Sequence, residues 1–239
     1  MLIADQGIIL HYFNYSETSL IVKVLTKEKG LVSILQKGAR RTASKGARTK
    51  FPALSLVTVE YYYSDKRDLH TARSVELWQP YKTLHSHIYK SAILMFINEL
   101  LYKTVRQEEK NDELYKFVED FLIVMDQHNF DPNVHLLFML KLTTFLGIAP
   151  DIAGYKSGSS LDLLEGTFKS TGFTKGDASA SVSEVIASIM GTDFDDLGSL
   201  EIPRALRKET LQTLVKYYEF QLEGIKSINS HFVLQELLE

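Results

Sequence analysis

The chain has 239 residues, a formal net charge of −3 and no cysteine. The lack of cysteine excludes disulfide bonds, thiolate metal sites and cysteine nucleophiles. The length allows one large domain or two small ones. The first residues lack the pattern of a secretory signal, and the apolar run Ala92–Ile97 is far shorter than the roughly 20 residues that cross a bilayer. The composition therefore predicts a soluble cytoplasmic protein that does not bind membranes.

Charge is distributed unevenly along the chain. Residues 1–80 carry 12 Lys and Arg against 7 Asp and Glu, whereas residues 81–239 carry 15 against 23. Within residues 23–50 there are nine basic side chains and a single acid, Glu28. This asymmetry indicates an anionic partner for the N-terminal part, although a solvated loop with an excess of Lys and Arg has the same composition.

Five runs rich in Val, Ile, Leu and Tyr predict strands before residue 80. They cover residues 2–13, 19–26, 31–37, 54–63 and 69–78, with turn-forming residues between several of them. In Val57–Tyr63 every second residue is apolar or aromatic, which is typical of a strand with one buried face. Five short strands favour a small barrel of the OB kind. The strand count alone leaves an SH3-like barrel as the alternative.

The segment from Gly38 to Pro52 is small, basic and interrupted by glycine, which predicts an exposed loop between the third and fourth strands. Lys and Arg side chains bind nucleic-acid phosphates, and such contacts supply most of the sequence-independent affinity. The candidate DNA-binding cations in and beside this loop are Lys37, Arg40, Arg41, Lys45, Arg48 and Lys50.

Aromatic side chains near this loop are candidates for stacking on bases. They are Tyr12, Phe13, Tyr15, Tyr61, Tyr62 and Tyr63. Strand alternation predicts that most of them are buried in the barrel core. Tyr62 falls on the polar face of its strand, so it is the predicted stacking residue.

From Pro80 onward the apolar residues recur at three- and four-residue spacings, which predicts helices. These cover residues 82–106, 113–127, 132–146, 182–190 and 204–224, with an apolar tail at 232–238. The third helix is apolar on almost every side, which is typical of a buried central helix. A groove beside it that binds a partner peptide is the alternative.

The predicted protein is therefore of the α+β class. Residues 1–80 form a five-stranded OB-fold β-barrel that binds nucleic acid, and residues 81–239 form an all-helical domain. A loop insertion at about residues 151–181 contains a short hairpin, in which Leu161–Glu165 and Thr167–Ser170 flank Gly166.

No pattern of residues predicts catalysis. His85 and His87 are two residues apart, so on a helix they do not face one another as metal ligands would. The acidic cluster at 193–196 suits metal-assisted hydrolysis, but a solvated turn that caps a helix is the favoured interpretation. Neither a phosphate-binding glycine loop nor a nucleophile elbow is present in the sequence. We therefore expect neither a catalytic residue nor a bound metal.

Three motifs together resemble the RecO family of recombination mediators. The first is Ser16-Glu17-Thr18-Ser19-Leu20, followed by Gly30 and by Lys37-Gly38-Ala39-Arg40. The second is Phe96-Ile97-Asn98-Glu99-Leu100-Leu101, and the third runs from Phe138 through Leu146-Gly147 to Pro150. The order and spacing agree over about 150 residues, and the last third agrees only in being helical.

The resemblance implies a non-enzymatic function in DNA repair. RecO-like proteins bind single- and double-stranded DNA, anneal complementary strands and work with RecR. They help to load the RecA recombinase onto DNA coated by single-strand-binding protein, whose acidic C-terminal tail they bind, and RecF is a further candidate partner. The alternative function is that of an adaptor whose barrel binds an acidic protein instead of DNA.

The sequence departs from this family at two places. Many members carry a four-cysteine zinc module after the central helix, whereas Asp151–Gly172 contains no cysteine, so we expect no zinc and no other cofactor. Some members place arginines near the tail-binding pocket where Leu136 and Leu137 stand here, which moves the cationic partner of the tail to Lys141 or elsewhere. The candidate partner-binding residues are Phe138, Lys141, Leu142 and Phe145.

Overall fold

The computed structural model describes residues 1–39, 52–105, 110–172, 174, 176–225 and 227–238. Most of the candidate DNA-binding cations fall outside these ranges, namely Arg40, Arg41, Lys45, Arg48 and Lys50. Their placement in an exposed loop therefore stays a prediction from the sequence. The chain packs as two compact units, residues 1–128 and residues 129–239.

The first unit begins with a closed five-stranded barrel. Its strands are β1 (Leu2–Asn14), β2 (Leu20–Thr26), β3 (Gly30–Gln36), β4 (Leu56–Tyr62) and β5 (Leu69–Gln79). They follow the order β1-β2-β3-β5-β4, and β4 closes onto β1. β3 and β5 pair in parallel, and the other neighbouring strands pair antiparallel. This arrangement is an OB-fold, so the predicted barrel is confirmed.

Alternation along the strands decides which side chains fill the barrel. The interior holds Ile9, Leu20, Val22, Val24, Val32, Ile34, Val57, Val59 and Tyr61. Residues between them, such as Lys23 and Ser33, face outward and are half-buried. At Gly7 a Cβ atom would overlap a methyl group of Val24, so the close contact between β1 and β2 requires glycine there.

Two helices complete the first unit, α1 (Ile88–Thr104) and α2 (Asp112–Gln127). The Nδ1 atom of His87 accepts a hydrogen bond from the Lys90 N–H and caps α1, which begins later than the predicted residue 82. The Oδ1 atom of Asn111 accepts from the Leu114 N–H at 2.9 Å and caps α2.

The carboxylate of Asp126, near the end of α2, holds the turn that precedes α1. It accepts hydrogen bonds from the backbone N–H groups of Lys82 at 2.9 Å, Thr83 at 2.7 Å and Leu84 at 3.0 Å. Burial acts to raise the pKa of Asp126, but these N–H donors outweigh it and lower the pKa. Because their N–H groups bind this carboxylate, residues 82–84 form a turn instead of the first turn of α1.

Lys90 is a second buried charge at the same place. Its side chain is 4% exposed, and its ammonium donates to the His128 carbonyl at 2.7 Å and to the Thr83 hydroxyl at 2.8 Å. Burial lowers the pKa of Lys90, and the negative charge of Asp126 opposes that shift. The two charges therefore join the ends of α1 and α2 through one hydrogen-bonded cluster.

The second unit is built around α3 (Val134–Phe145). Its other helices are α4 (Ala180–Met190), α5 (Arg204–Gln221) and α6 (Ser230–Leu238), and α3 packs against α4 and α5. Leu136, Leu137 and Phe138 are fully buried. The hydroxyl of Tyr218 on α5 donates to the Met139 carbonyl at 2.7 Å. These contacts confirm that the apolar helix is the core of this unit.

A short hairpin lies in the insertion between α3 and α4. Its strands are β6 (Ser160–Leu161) and β7 (Phe168–Lys169), both shorter than predicted. Asp162 follows β6, and its carboxylate accepts two backbone N–H hydrogen bonds of the turn (2.8 and 3.1 Å) and pairs with the Lys169 ammonium. This ion pair lowers the pKa of Asp162. Hydrogen bonds to the Asp162 side chain thus stabilise the hairpin in the segment where many family members carry a four-cysteine zinc module.

The change from strands to helices occurs at the end of β5, close to the predicted boundary at residue 80. Packing, in contrast, groups α1 and α2 with the barrel. The boundary between two folding domains therefore stays a prediction. Within the described ranges, no helix has both the length and the apolar composition needed to cross a bilayer.

Replacing Asp126 with Asn will destabilise the protein. The three backbone N–H groups lose a charged acceptor, which costs about 3 kcal/mol in the free energy of unfolding. Because folding lowers the pKa of Asp126, its contribution is present above the unfolded carboxyl pKa of about 3.9 and is lost as the pH falls through the lower folded value. Urea unfolding of both proteins at neutral and strongly acidic pH measures this difference.

The matched control for that variant is Asp120→Asn on the same helix. The Asp120 carboxylate is exposed and pairs with Lys116 at 2.8 Å, so its loss costs less than about 1 kcal/mol. Equal destabilisation by the two substitutions would contradict the role given to Asp126.

Gly7→Ala will also destabilise the barrel, because the new methyl group forces β1 and Val24 apart. The expected loss is about 1–3 kcal/mol, as for other overpacked cores. Gly154→Ala is the control, since its Cβ would meet the Phe168 carbonyl at an ordinary 3.5 Å. Thermal unfolding monitored by circular dichroism distinguishes the two, and a wild-type melting temperature for Gly7→Ala would refute the steric argument.

Candidate nucleic-acid interface

The strand register places five outward side chains in one continuous row that runs around the closed barrel. Phe13 on β1 pairs with Ile21 on β2, which pairs with Leu35 on β3. Leu35 pairs with Thr71 on β5, which pairs with Tyr62 on β4. Paired residues of neighbouring strands point to the same side of the sheet, here the outside of the barrel, and strands lie about 4.8 Å apart, so this outward row is roughly 19 Å long measured along the barrel wall.

The two ends of the outward row are its most exposed aromatic residues. Tyr62 is 56% exposed, as its place on the polar face predicted, and Phe13 is 40% exposed. Tyr61, the residue before Tyr62, is fully buried in the barrel. The row therefore offers a flat ring at each end and a smaller apolar surface between them.

Cations flank the outward row on both sides. Lys23 lies two residues beyond Ile21 on β2, on one side of the row. Lys37 is exposed and follows the end of β3 directly, and Arg73 is exposed on β5, both on the other side. The Arg73 guanidinium lies 3.7 Å from the Glu60 carboxylate, an exposed pair that holds it only weakly. Of the predicted DNA-binding residues, the structure thus describes Lys37, which follows β3, and Tyr62, which is at the β4 end of the row.

A cluster of aromatic residues at one end of the outward row was not predicted from the sequence. The rings of His11 and Tyr102 stack at a centroid distance of 4.5 Å, and Phe13 meets His11 edge-on at 4.5 Å. Tyr102 belongs to α1, so the helix supports the end of β1. Burial lowers the pKa of His11 and favours its neutral form in this stack.

The sequence predicted that most of the aromatic side chains near the basic loop are buried in the barrel core. That prediction was wrong for Tyr12, Phe13 and Tyr15. Tyr12, Phe13 and Tyr15 are 38%, 40% and 59% exposed. A bulge between Ile9 and His11 shifts the register of β1 against β2, and the last residues of β1 lie at the end of the barrel. Neither feature can be read from alternation alone.

The candidate partner-binding residues on α3 divide into two groups. Phe138 and Leu142 are fully buried and pack in the core of the second unit, so they do not offer a surface for direct contact. Phe145 is half-buried, and the Lys141 ammonium pairs with Asp193 at 3.1 Å. Of the four candidates, only Lys141 and Phe145 are therefore accessible to a partner peptide, and their role in binding it stays a prediction.

The residues considered for chemistry have structural roles. His85 packs edge-on against Tyr81 at 5.5 Å, and burial lowers its pKa. His87 caps α1, and Asp193 pairs with Lys141. The described part of the chain contains no group of three or more His, Asp or Glu side chains that could hold a metal ion.

The sequence matches two family models that together cover most of the chain. The family described as Recombination protein O N terminal matches residues 1–81, which contain the barrel. The family described as Recombination protein O C terminal matches residues 85–228, which contain the helices up to α5.

Curated relatives match the chain over nearly its full length. It is 30% identical to the DNA repair protein RecO of Christiangramia forsetii over 238 residues, which cover 99% of each chain. It is also 30% identical to the proteins of the same name from Phocaeicola vulgatus and Flavobacterium johnsoniae, again over 99% of each chain. The chain therefore belongs to the RecO family.

Proposed function

We propose that this chain is a non-enzymatic recombination mediator in DNA repair and that it binds DNA on the outward row of its barrel. Its relatives are named as DNA repair proteins, which supports the process. The observation that carries the proposal is the outward row itself, with exposed rings at Phe13 and Tyr62 and cations on both sides.

The chemistry of binding follows from these side chains. Lys23, Lys37 and Arg73 contact phosphates, and the predicted basic loop after Lys37 adds further contacts to the backbone. Bases of a single strand stack on the exposed ring of Tyr62, which contributes about 1–3 kcal/mol per stacked base. Double-stranded DNA makes the phosphate contacts without the stacking. Neither interaction makes or breaks a covalent bond, so we expect no catalysis and no cofactor.

The mediator function also requires protein partners. We propose that the chain anneals complementary strands and, with RecR, helps to load RecA onto DNA coated by single-strand-binding protein. Lys141 and Phe145 on α3 are the proposed contacts for the acidic tail of that protein, because one is cationic and the other half-buried and apolar. RecF is a further proposed partner. The expected location is the cytoplasm, in association with the nucleoid.

Charge reversal of the basic loop will nearly abolish DNA binding. About five phosphate contacts on single strands give a slope near −3.5 in a plot of log affinity against log salt, from about −0.7 per contact. The variant with Arg40, Arg41, Lys45 and Arg48 replaced by Glu loses most of this slope. Fluorescence anisotropy over a range of salt concentrations measures the affinity and its salt dependence. An unchanged slope in the variant would show that the loop does not contact DNA.

Tyr62→Ala will weaken binding to single-stranded DNA by about 1–3 kcal/mol and leave binding to double-stranded DNA almost unchanged, because paired bases are not free to stack. Phe220→Ala is the control, since Phe220 is 53% exposed on α5 of the other unit. Anisotropy with matched single- and double-stranded oligonucleotides tests this. An equal loss on both substrates would show that Tyr62 does not stack on bases.

Strand annealing distinguishes the mediator from an adaptor that binds an acidic protein. We expect the chain to accelerate annealing of complementary strands coated by single-strand-binding protein, and the Glu variant of the basic loop to lose that activity. Failure to shift bare single-stranded DNA at low salt, together with retained binding to single-strand-binding protein, would favour the adaptor.

A further inference from the structure

A polar pocket lies at one end of the barrel, between the turn that joins β2 to β3 and the turn that joins β4 to β5. Its volume is about 120 Å³. The side chains that line it and can form hydrogen bonds include Lys29, Ser33, Asp65, Arg67, Asp68 and His70.

The pocket is continuous with the proposed DNA surface. Tyr63, another lining residue, directly follows Tyr62 at the end of the outward row. Ser33 faces outward on β3, two residues before Leu35 of the same row. A strand whose base stacks on Tyr62 therefore has the pocket within reach of a neighbouring nucleotide.

Volume limits what the pocket can hold. A protein cavity of about 150 Å³ binds benzene, so a pocket of about 120 Å³ is comparable in size to one six-membered ring. The double ring of a purine would extend beyond this volume. Among DNA bases, a single pyrimidine fits this space.

The lining offers both hydrogen-bond acceptors and donors. The carboxylates of Asp65 and Asp68 are acceptors, and a hydrogen bond between the Tyr63 hydroxyl and Asp65 fixes one of them and raises the pKa of Tyr63. The donors include Lys29, whose ammonium lies 4.4 Å from the centroid of the Tyr63 ring, and Arg67.

His70 is a second observation that indicates a ligand. Its side chain is only 5% exposed, and no described residue supplies a hydrogen-bond partner for its Nδ1 atom. Burial lowers the pKa of His70 and favours the neutral imidazole, which has one donor and one acceptor nitrogen. A buried polar group without a partner is uncommon in folded proteins.

We propose that the pocket holds one unstacked pyrimidine of bound single-stranded DNA and selects cytosine over thymine. Carboxylates accept hydrogen bonds from the exocyclic amino group of cytosine, whereas thymine presents a carbonyl oxygen at the same position. Asp65 and Asp68 therefore attract the first base and repel the second. Lys29 and Arg67 supply donors to the remaining ring acceptors or to the adjacent phosphate. This inference rests on the proposed DNA binding by the barrel.

The test compares oligodeoxycytidine with oligothymidine of equal length at mildly alkaline pH. Because the two carry equal charge, phosphate contacts cancel in the ratio of their affinities. We expect the full chain to bind the cytidine strand about fivefold or more tightly, the equivalent of one good base contact. The variant with Asp65→Asn and Asp68→Asn loses that ratio. Glu76→Gln, an exposed acid of β5 that does not line the pocket, retains it.

Two results would overturn the inference while leaving the proposed function intact. One is equal affinity of the unmodified chain for both oligonucleotides. The other is a preference for cytidine that persists in the Asp65 and Asp68 double variant. If neither oligonucleotide binds at low salt, the proposed function fails, and the inference fails with it.

Discussion

The parallel pairing of β3 with β5 is the interaction on which the binding surface depends. It places Leu35 beside Thr71 and closes the sheet into a barrel between β3 and β5. Without it, the barrel would be open between β3 and β5, and the row from Phe13 to Tyr62 would be interrupted between Leu35 and Thr71. Closure of the barrel thus converts residues that are distant in sequence into one row with a fixed spacing.

The charged residues of the first unit fall into two groups, buried ones that stabilise the fold and exposed ones on the barrel surface. Asp126 and Lys90 are buried, and backbone groups and the Thr83 hydroxyl satisfy them, which fixes the connection between the barrel and its two helices. Lys37 and Arg73 are exposed, and the Arg73 guanidinium is held only by an exposed pair with Glu60, so both can contact phosphates. The charged residues that stabilise the fold, Asp126 and Lys90, are therefore different from the exposed charged residues that are proposed to bind DNA, Lys37 and Arg73.

The proposed site was only partly predictable. Alternation in β4 was sufficient to identify Tyr62 as exposed, because one face of a barrel strand must be apolar. The same argument misplaced Tyr12 and Phe13, since a bulge in β1 shifts the register and the strand reaches the end of the core. On α3, apolar composition identified the buried core correctly, yet the same burial removes Phe138 and Leu142 from any surface.

By itself, the sequence determined the five barrel strands, the central apolar helix and the concentration of basic residues after β3. These depend on local periodicity and composition, which act over a few residues. Only the tertiary structure decided that Phe13 and Tyr62 share a row, that Tyr102 stacks on His11, and that Asp126 holds a turn more than forty residues earlier in the chain. Such relations require strand register and packing between distant segments, which no local pattern of side chains encodes.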